Sequence, residues 1–317
     1  MRTAAEDVAA ALAVWPVPVS SATPMTGGWN SSTWLVETPA TETSATGTPA
    51  GETPAERYVA KLVDHLDAPG LVAGLRLADF ASRRGLACGA PVRTTAGDYT
   101  VPFADGVLTL LTFVPGRHPD STRAPDIRRA GRVLARAHQV LASYPAGDDD
   151  RYRWPWEWVP RCLDTIAMPA EINDAARVAW ADIVQAVGDH ELSILLLHAD
   201  PGPEAFLLNA DDPAQDAMID WTTTLRGPLL YDVASFAVVT KDDGPQVTDW
   251  LIEGYLLERP ALGAELADLG TMIRARWLAN AIYFASRIER GITRGSDSPT
   301  ANEDGLAAAF AGLTGTA

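Results

Sequence analysis

The residues best suited to chemistry lie between Leu195 and Asp232, in a segment that reads LLLHADPGPEAFLLNADDPAQDAMIDWTTTLRGPLLYD. An apolar strand at 194–197 delivers His198, Ala199 and Asp200 into a loop, and a second strand ends at Ile219, Asp220 and Trp221. Two carboxylates at neighbouring strand ends would face a common cleft. One can accept a hydroxyl proton while the other holds a divalent cation on phosphate oxygens. Phosphoryl transfer asks for little more, because its catalysis is mainly positioning and charge neutralisation. Taken singly, Asp200 before a proline is an ordinary turn residue and Asp220 an ordinary loop starter. Their pairing between apolar strands is what points to a site.

A cation belongs to the same pattern. In the run 57–63, strand alternation puts Lys61 on the side of Val59 and Val63. An ammonium there is justified by a ligand or a carboxylate, the alternative being a solvated strand lysine.

The elements that must position these groups change character along the chain. Residues 8–15 read as the end of an alanine-rich helix stopped by Pro16 and Pro18. Strands follow at 33–37 and 57–63, separated by a Thr-, Ala-, Pro- and Gly-rich stretch at 39–56 that reads as a flexible surface loop. A helix over 71–84 ends at Gly85, and further strands are expected at 91–94 and 107–114. Beyond Pro115 and Gly116 the texture becomes helical. The first helix, 125–142, carries Ile127, Ala130, Val133, Leu134, Ala137 and Leu141 on one face. Helical patterns recur at 156–163, 173–187, 231–239, 247–257, 265–289 and 302–312, around a polar hairpin that runs to Ile219. Strands with one helix, a hinge, then helices around a small hairpin make an α+β order with two lobes. No internal repeat is apparent.

Composition narrows the partners. The 317 residues are 47% hydrophobic and 21% charged, which suits a soluble globular protein. The net charge of −16 repels nucleic acid and anionic membranes; it suits a cationic substrate, or simply keeps the protein in solution. Cys88 and Cys162 make no disulfide framework, and a reducing cytoplasm is the expected home. The first fourteen residues lack the basic and apolar regions of a secretory signal, and no run approaches the roughly 20 apolar residues of a membrane span.

These motifs resemble those of the aminoglycoside phosphotransferase and choline kinase superfamily of small-molecule kinases. That family carries His-Gly-Asp, then a strand ending in Ile-Asp-Trp or Ile-Asp-Phe, then Gly-Asp-Pro…Tyr-Asp-Leu-Ala. Here the counterparts are His198-Ala199-Asp200, Ile219-Asp220-Trp221 and the stretch from Gly227 to Ala234. The resemblance implies a protein-kinase-like two-lobe fold. A nucleotide-binding lobe would span 1–111, with an antiparallel sheet, a hinge would follow at 112–116, and a larger helical lobe would span 117–317. It implies ATP and magnesium as cofactors, with Asp200 as the catalytic base, His198 bracing the loop, Asp220 on the metal and Asp232 fixing the loop from a helix N-terminus. Gly27, Gly28, Asn30, Ser31 and Ser32 resemble the nucleotide loop, Lys61 the phosphate-binding lysine, and Phe113 with Val114 the hinge that reads adenine.

Two departures shape the expectations. The family's magnesium-binding Asn falls at Ala205, and Glu204 is expected to take over as metal ligand. The helix over 71–84 has no glutamate for Lys61; its single carboxylate, Asp79, either fills that role or is solvated. The aromatic run 152–158 is a candidate substrate wall or a packing cluster. The stretch 274–290, with Arg276, Tyr283 and Arg287, either lines the pocket or forms a solvated helix face. The expected activity is ATP-dependent phosphorylation of a small-molecule hydroxyl, on an aminoglycoside or another amino-bearing metabolite. A catalytically silent nucleotide- or metabolite-binding sensor is the alternative, and a two-carboxylate metal hydrolase ranks behind both.

Overall fold

The computed structural model describes residues 5–25, 31–43, 51–53, 55–145, 158–293 and 298–315. Gly27, Gly28 and Asn30, and residues 152–157 of the aromatic run, lie outside the described residues.

The N-terminal part begins with helix α1 (Ala5–Ala11) and a 3-10 turn. The strands that follow are β1 (Ser21–Met25), β2 (Ser31–Glu37), β5 (Arg57–Asp64), β6 (Pro91–Val92), β7 (Thr100–Phe103) and β8 (Gly106–Thr112). They form a six-stranded sheet in the order β1-β2-β5-β8-β6, with β7 also on β8, and every pairing is antiparallel. Two of these strands, β1 and β7, have no counterpart in the sequence reading. Each contains a proline, Pro24 or Pro102, and each lies at the sheet margin, where a missing N–H is tolerated. The stretch expected to be a flexible loop is corrected in part: β3 (Thr41–Thr43) and β4 (Gly51–Thr53) pair antiparallel within it.

Alternation along β5 sorts its side chains as the sequence implies. Ala60 and Leu62 join Trp34, Val36, Leu108 and Leu110 in a core closed by Val8, Leu12 and Trp15. Val63 faces the other way, onto Leu71 and Leu75 of helix α2 (Ala68–Ser82). The rest of α2, through Ala73, Leu77, Ala78 and Ala81, packs into the core of the helical lobe. Helix α2, within the span expected for the first lobe, thus packs against both lobes in space.

The helical lobe is built on α3 (Ala124–Leu141), whose six anticipated apolar positions are all buried, and on α7 (Pro245–Glu258). Around them stand α4 (Trp158–Thr165), α5 (Ala170–Asp189), α6 (Leu230–Val239), α8 (Leu269–Glu289) and α9 (Ala301–Thr314). Within the lobe β9 (Ile194–Leu197) pairs with β12 (Leu225–Pro228), and β10 (Phe206–Leu207) pairs with β11 (Ala217–Met218). Among the described residues no helix is long and apolar enough to cross a membrane.

Glycines let α3 and α7 touch backbone to backbone. A Cβ on Gly131 would collide with the Leu251 carbonyl, and one on Gly254 with the Arg128 carbonyl. Gly131→Val must therefore force the pair apart, with an expected loss of about 1–3 kcal/mol. Urea denaturation of the two proteins measures it, and an unchanged midpoint would contradict this packing.

Candidate active site

The loop after β9 is held by one buried carboxylate. Asp232, in the first turn of α6 and fully buried, accepts from the backbone N–H of His198 at 3.0 Å and of Ala199 at 2.7 Å. A carboxylate at a helix N-terminus is favourably placed for the helix dipole. His138 of α3 approaches the same carboxylate, Nε2 to Oδ2 at 2.9 Å, and its Nδ1 lies 2.8 Å from the Tyr255 hydroxyl. Burial pushes the Tyr255 phenol upward, so this hydroxyl stays protonated and can donate to Nδ1 while Nε2–H donates to Asp232. His138 is thus a packed histidine that anchors the loop brace.

This brace holds an unfavourable backbone. Ala199 sits at φ 70°, a left-handed conformation that costs an L-residue about 1–2 kcal/mol. The turn aims Asp200 out of the strand line. His198 ties this loop to the second one: its Nε2 donates to the Ile219 carbonyl at 2.8 Å, and its Nδ1 accepts from the Asp200 N–H at 3.3 Å. Those two bonds put the imidazole proton on Nε2. The ring also packs edge-on against Trp221, centroids 5.1 Å apart.

Asp220 lies two residues beyond β11 and is itself left-handed, at φ 64° and ψ 66°. Its Oδ1 accepts from Lys61 Nζ at 2.6 Å and from Thr222 Oγ1 at 2.7 Å. Burial alone would raise the Asp220 carboxyl, but the Lys61 ammonium and the Thr222 hydroxyl outweigh it and hold the pKa at about 2. The Lys61 side chain is 9% exposed and that of Asp220 50%, so the pair is sheltered on the lysine side and open on the carboxylate side. An ionised, half-open carboxylate suits a hard cation that keeps waters and takes one or two protein oxygens.

Lys61 and Asp220 line a cavity of about 380 Å³ between the lobes. Met25, Val59 and Leu111 come from the sheet, Leu75 and Ala78 from α2, Phe113 and Val114 from the segment just after β8, and Leu207 and Ile219 from the hairpin. The cavity is mostly apolar with a charged end, and its size is ordinary for a small-ligand pocket. Ser31 and Ser32 open β2 beside this cavity, which takes Thr33 as lining instead.

Helix α2 reaches the Asp220 loop without an ion pair. Gly74 packs so closely on the loop that a Cβ would strike the Trp221 carbonyl, and Gly70 lies against the Thr222 carbonyl. Asp79 is neither the partner of Lys61 nor a solvated residue, which corrects both alternatives. It accepts from the Tyr99 hydroxyl at 2.6 Å and from Arg83 and Arg93 at 2.9–3.2 Å, pinning α2 to the β6–β7 region. Tyr99 and Arg93 come from the connection between β6 and β7, with no sequence spacing that links them to Asp79.

The remaining candidates are placed as follows. Glu204 is exposed on the 3-10 turn Pro203–Ala205, its carboxylate folded beside Gly202. That turn is stitched to the Asp220 strand, because the Ala205 carbonyl accepts from the Ile219 N–H at 2.8 Å. Among the described residues no cluster of three or more His, Cys, Asp or Glu side chains assembles a ligand set. Asp200, outside the cavity lining, meets Arg276 of α8 at 2.5 Å. The stretch 274–290 is accordingly no solvated face: Arg276 touches Asp200, while Tyr283, Arg287 and Arg290 line a second cavity of about 740 Å³. Trp158, the described member of the aromatic run, lines that second cavity too, together with Asp64 and Asp67.

The phosphotransferase enzyme family model matches residues 21–268. A homoserine kinase of Methylobacillus flagellatus is 27% identical over 241 residues, covering 72% of this chain and 74% of its own length. Among solved structures, an amicoumacin kinase in complex with AMP-PNP, Ca2+ and Ami superposes with a TM-score of 0.68 at 14% identity, over 98% of this chain and 92% of that one. A choline/ethanolamine kinase family protein from Mesorhizobium loti superposes with a TM-score of 0.64 at 18% identity, over 96% and 90%. At such identities the structures share the protein-kinase-like two-lobe fold.

Two outcomes follow from the carboxylates described. Asp232→Ala leaves buried donors without an acceptor and should cost about 3–5 kcal/mol. Chemical denaturation checks this, and a loss below about 1 kcal/mol would mean that the brace is dispensable. Asp79 is held below the usual carboxylate range: burial opposes this, and the hydrogen bonds from Tyr99, Arg83 and Arg93 with the charge of Arg83 prevail. A depressed carboxylate stabilises above its unfolded pKa of about 3.9 and loses that contribution as pH falls through the folded value. The melting temperature of Asp79→Asn should lie below wild type at neutral pH, with the gap closing below about pH 4. A gap that is constant with pH would refute the assignment.

Proposed function

Because the chain belongs to the phosphotransferase enzyme family, we propose that it transfers the γ-phosphoryl group of ATP, with magnesium, to a hydroxyl of a small amino-bearing molecule. The observation that carries this reading is the Lys61–Asp220 pair at 2.6 Å, standing at the charged end of the apolar cavity between sheet and hairpin. Adenine would lie among Val59, Leu111, Leu207 and Ile219, with the backbone at Phe113 and Val114 reading its edge. Lys61 would hold the phosphates, helped by the segment of Gly27, Gly28, Asn30, Ser31 and Ser32. Asp220 would hold magnesium, and the support for Glu204 as a second ligand is the bond that ties its turn to Ile219. Bound there, the metal would neutralise phosphate charge.

Asp200 would take the proton of the attacking hydroxyl, aimed by the left-handed turn at Ala199 and steadied by His198. The acceptor would enter along α8 from the second cavity, where Asp64 and Asp67 can meet an amine. Relatives named homoserine kinase and a neighbour named amicoumacin kinase favour an acceptor of this kind. Homoserine, with one amine and one primary hydroxyl, is the first compound to try. One observation favours a silent binding protein instead: Ala205, at the place of the family's Asn, is apolar and buried and can coordinate nothing.

ADP release from Mg·ATP, measured alone and with a panel of homoserine, choline and aminoglycosides, decides between them. Turnover should fall at least about 100-fold in Asp200→Ala and in Asp220→Ala. Glu204→Ala should raise the magnesium requirement; an unchanged requirement removes Glu204 from the site. Thermal stabilisation by Mg·ATP without any ADP release would establish the silent reading.

A further inference from the structure

Helix α8 brings a cation to the loop that carries Asp200. Arg276 Nη2 donates to Asp200 Oδ1 at 2.5 Å, and Nη1 donates to the Ala199 carbonyl at 3.2 Å. Its guanidinium also bonds the Tyr231 side chain, one residue before the bracing Asp232. The Arg276 side chain is 16% exposed and that of Asp200 44%, so the cation lies behind the carboxylate and the carboxylate faces outward. Among the described residues no hydrogen bond reaches Asp200 Oδ2.

A planar guanidinium offers donors at fixed angles. Here one fork grips both the carbonyl of the left-handed residue and the carboxylate that follows it. Ala199 and Asp200 therefore cannot rotate independently, and one carboxylate oxygen is immobilised while the other stays open. From Arg276 the same face of α8 continues through Ala279 and Tyr283, which line the second cavity. At 1.5 Å rise per residue, Ala279 lies about 4.5 Å along the axis from Arg276, so the cavity begins one turn from the carboxylate.

We propose that Arg276 is a positioning residue for phosphoryl transfer: it fixes Asp200 by Oδ1 and the Ala199 carbonyl so that Oδ2 presents to the acceptor hydroxyl. The inference rests on the reading of Asp200 as the proton acceptor. In that step Oδ2 takes the hydroxyl proton while the acceptor oxygen bonds to the γ-phosphorus. The bond from that phosphorus to the bridging oxygen breaks, and ADP leaves with its electron pair. Arg276 touches neither nucleotide nor acceptor and acts through the orientation of Asp200.

The test uses the full chain and ADP release from Mg·ATP, with water as the acceptor. Arg276→Met should lower kcat about 100-fold, the scale of a small misplacement at a reacting group, while KM for ATP stays unchanged. Arg276→Lys restores the charge without the fork and should recover part of the loss. The double variant Asp200→Asn/Arg276→Met should lose no more than Asp200→Asn alone, because the two side chains act as one unit. A kcat for Arg276→Met within about threefold of wild type, or losses that multiply in the double variant, would overturn the proposal. If Arg276→Met fails to fold, Arg276→Lys decides: a wild-type kcat at an unchanged melting temperature overturns it, and a reduced kcat at unchanged KM supports it. Wild-type ADP release that Asp200→Asn leaves intact would instead sink the reading of Asp200 itself.

Discussion

The geometry of the candidate site depends on a carboxylate that touches no ligand cavity. Asp232 is fully buried and gathers two backbone amides and an imidazole. Burying an anion is tolerable only when its oxygens are satisfied, and here the donors come from the loop after β9 and from α3. The consequence is a backbone that would not otherwise persist. Ala199 occupies a region that favours glycine, and Asp220 does so as well. Strain of this kind survives where the surroundings over-determine it. His198 then passes the constraint onward, since its ring spans from the Asp200 amide to the Ile219 carbonyl. Both carboxylates are thereby set by one polar network in the helical lobe.

Much of this is legible in the sequence. The spacing of His198, Asp200, Asp220 and Asp232 between apolar strands marks the network, because charged groups are rarely drawn so close to buried strands unless a ligand or a polar partner receives them. Strand alternation alone put Lys61 on the face of Val59, and both line the cavity. The six apolar positions of α3 were readable for the same reason, a strict period on a buried face. What stayed hidden depended on partners far away in sequence. Arg276 stands in a stretch that reads as either pocket wall or solvated face, and only the approach of α8 to the 198–200 loop gives it Asp200 as a partner. Asp79 is expected either to pair with Lys61 or to be solvated; instead Arg93 and Tyr99 reach it from 14 and 20 residues away, beside Arg83 one helical turn on. Strands β1 and β7 were hidden by their prolines, which weaken a pattern without forbidding an edge.

The missing glutamate in α2 illustrates how packing replaces an ion pair. A lysine–glutamate bridge would hold α2 against the cleft by charge. In this chain two glycines on α2 let its backbone rest on the backbone of 221–222, directly after Asp220. Contact between backbones is less adjustable than a salt bridge between long side chains, since no rotamer change relieves it. Asp79 adds a second anchor on the far side of the helix. The helix is therefore held on the loop after Asp220 and, through Asp79, on the β6–β7 region.

Lys61 is left with Asp220 itself as partner, and this explains the electrostatic state of the cleft. Without that ammonium, burial would push the Asp220 carboxyl upward. With it, the carboxylate stays ionised down to about pH 2, while the lysine side chain is nearly closed off from solvent. The ammonium thus keeps a half-open carboxylate ionised at the end of the cavity. A triphosphate with its cation presents the same two charges in the reverse order, anion to Lys61 and cation to Asp220. On the proposed reading, such a ligand would part the pair with charge compensated on both sides. The lobes meet at this ion pair: β5 supplies one member, the loop after β11 the other, and α2 packs against the residues that follow Asp220.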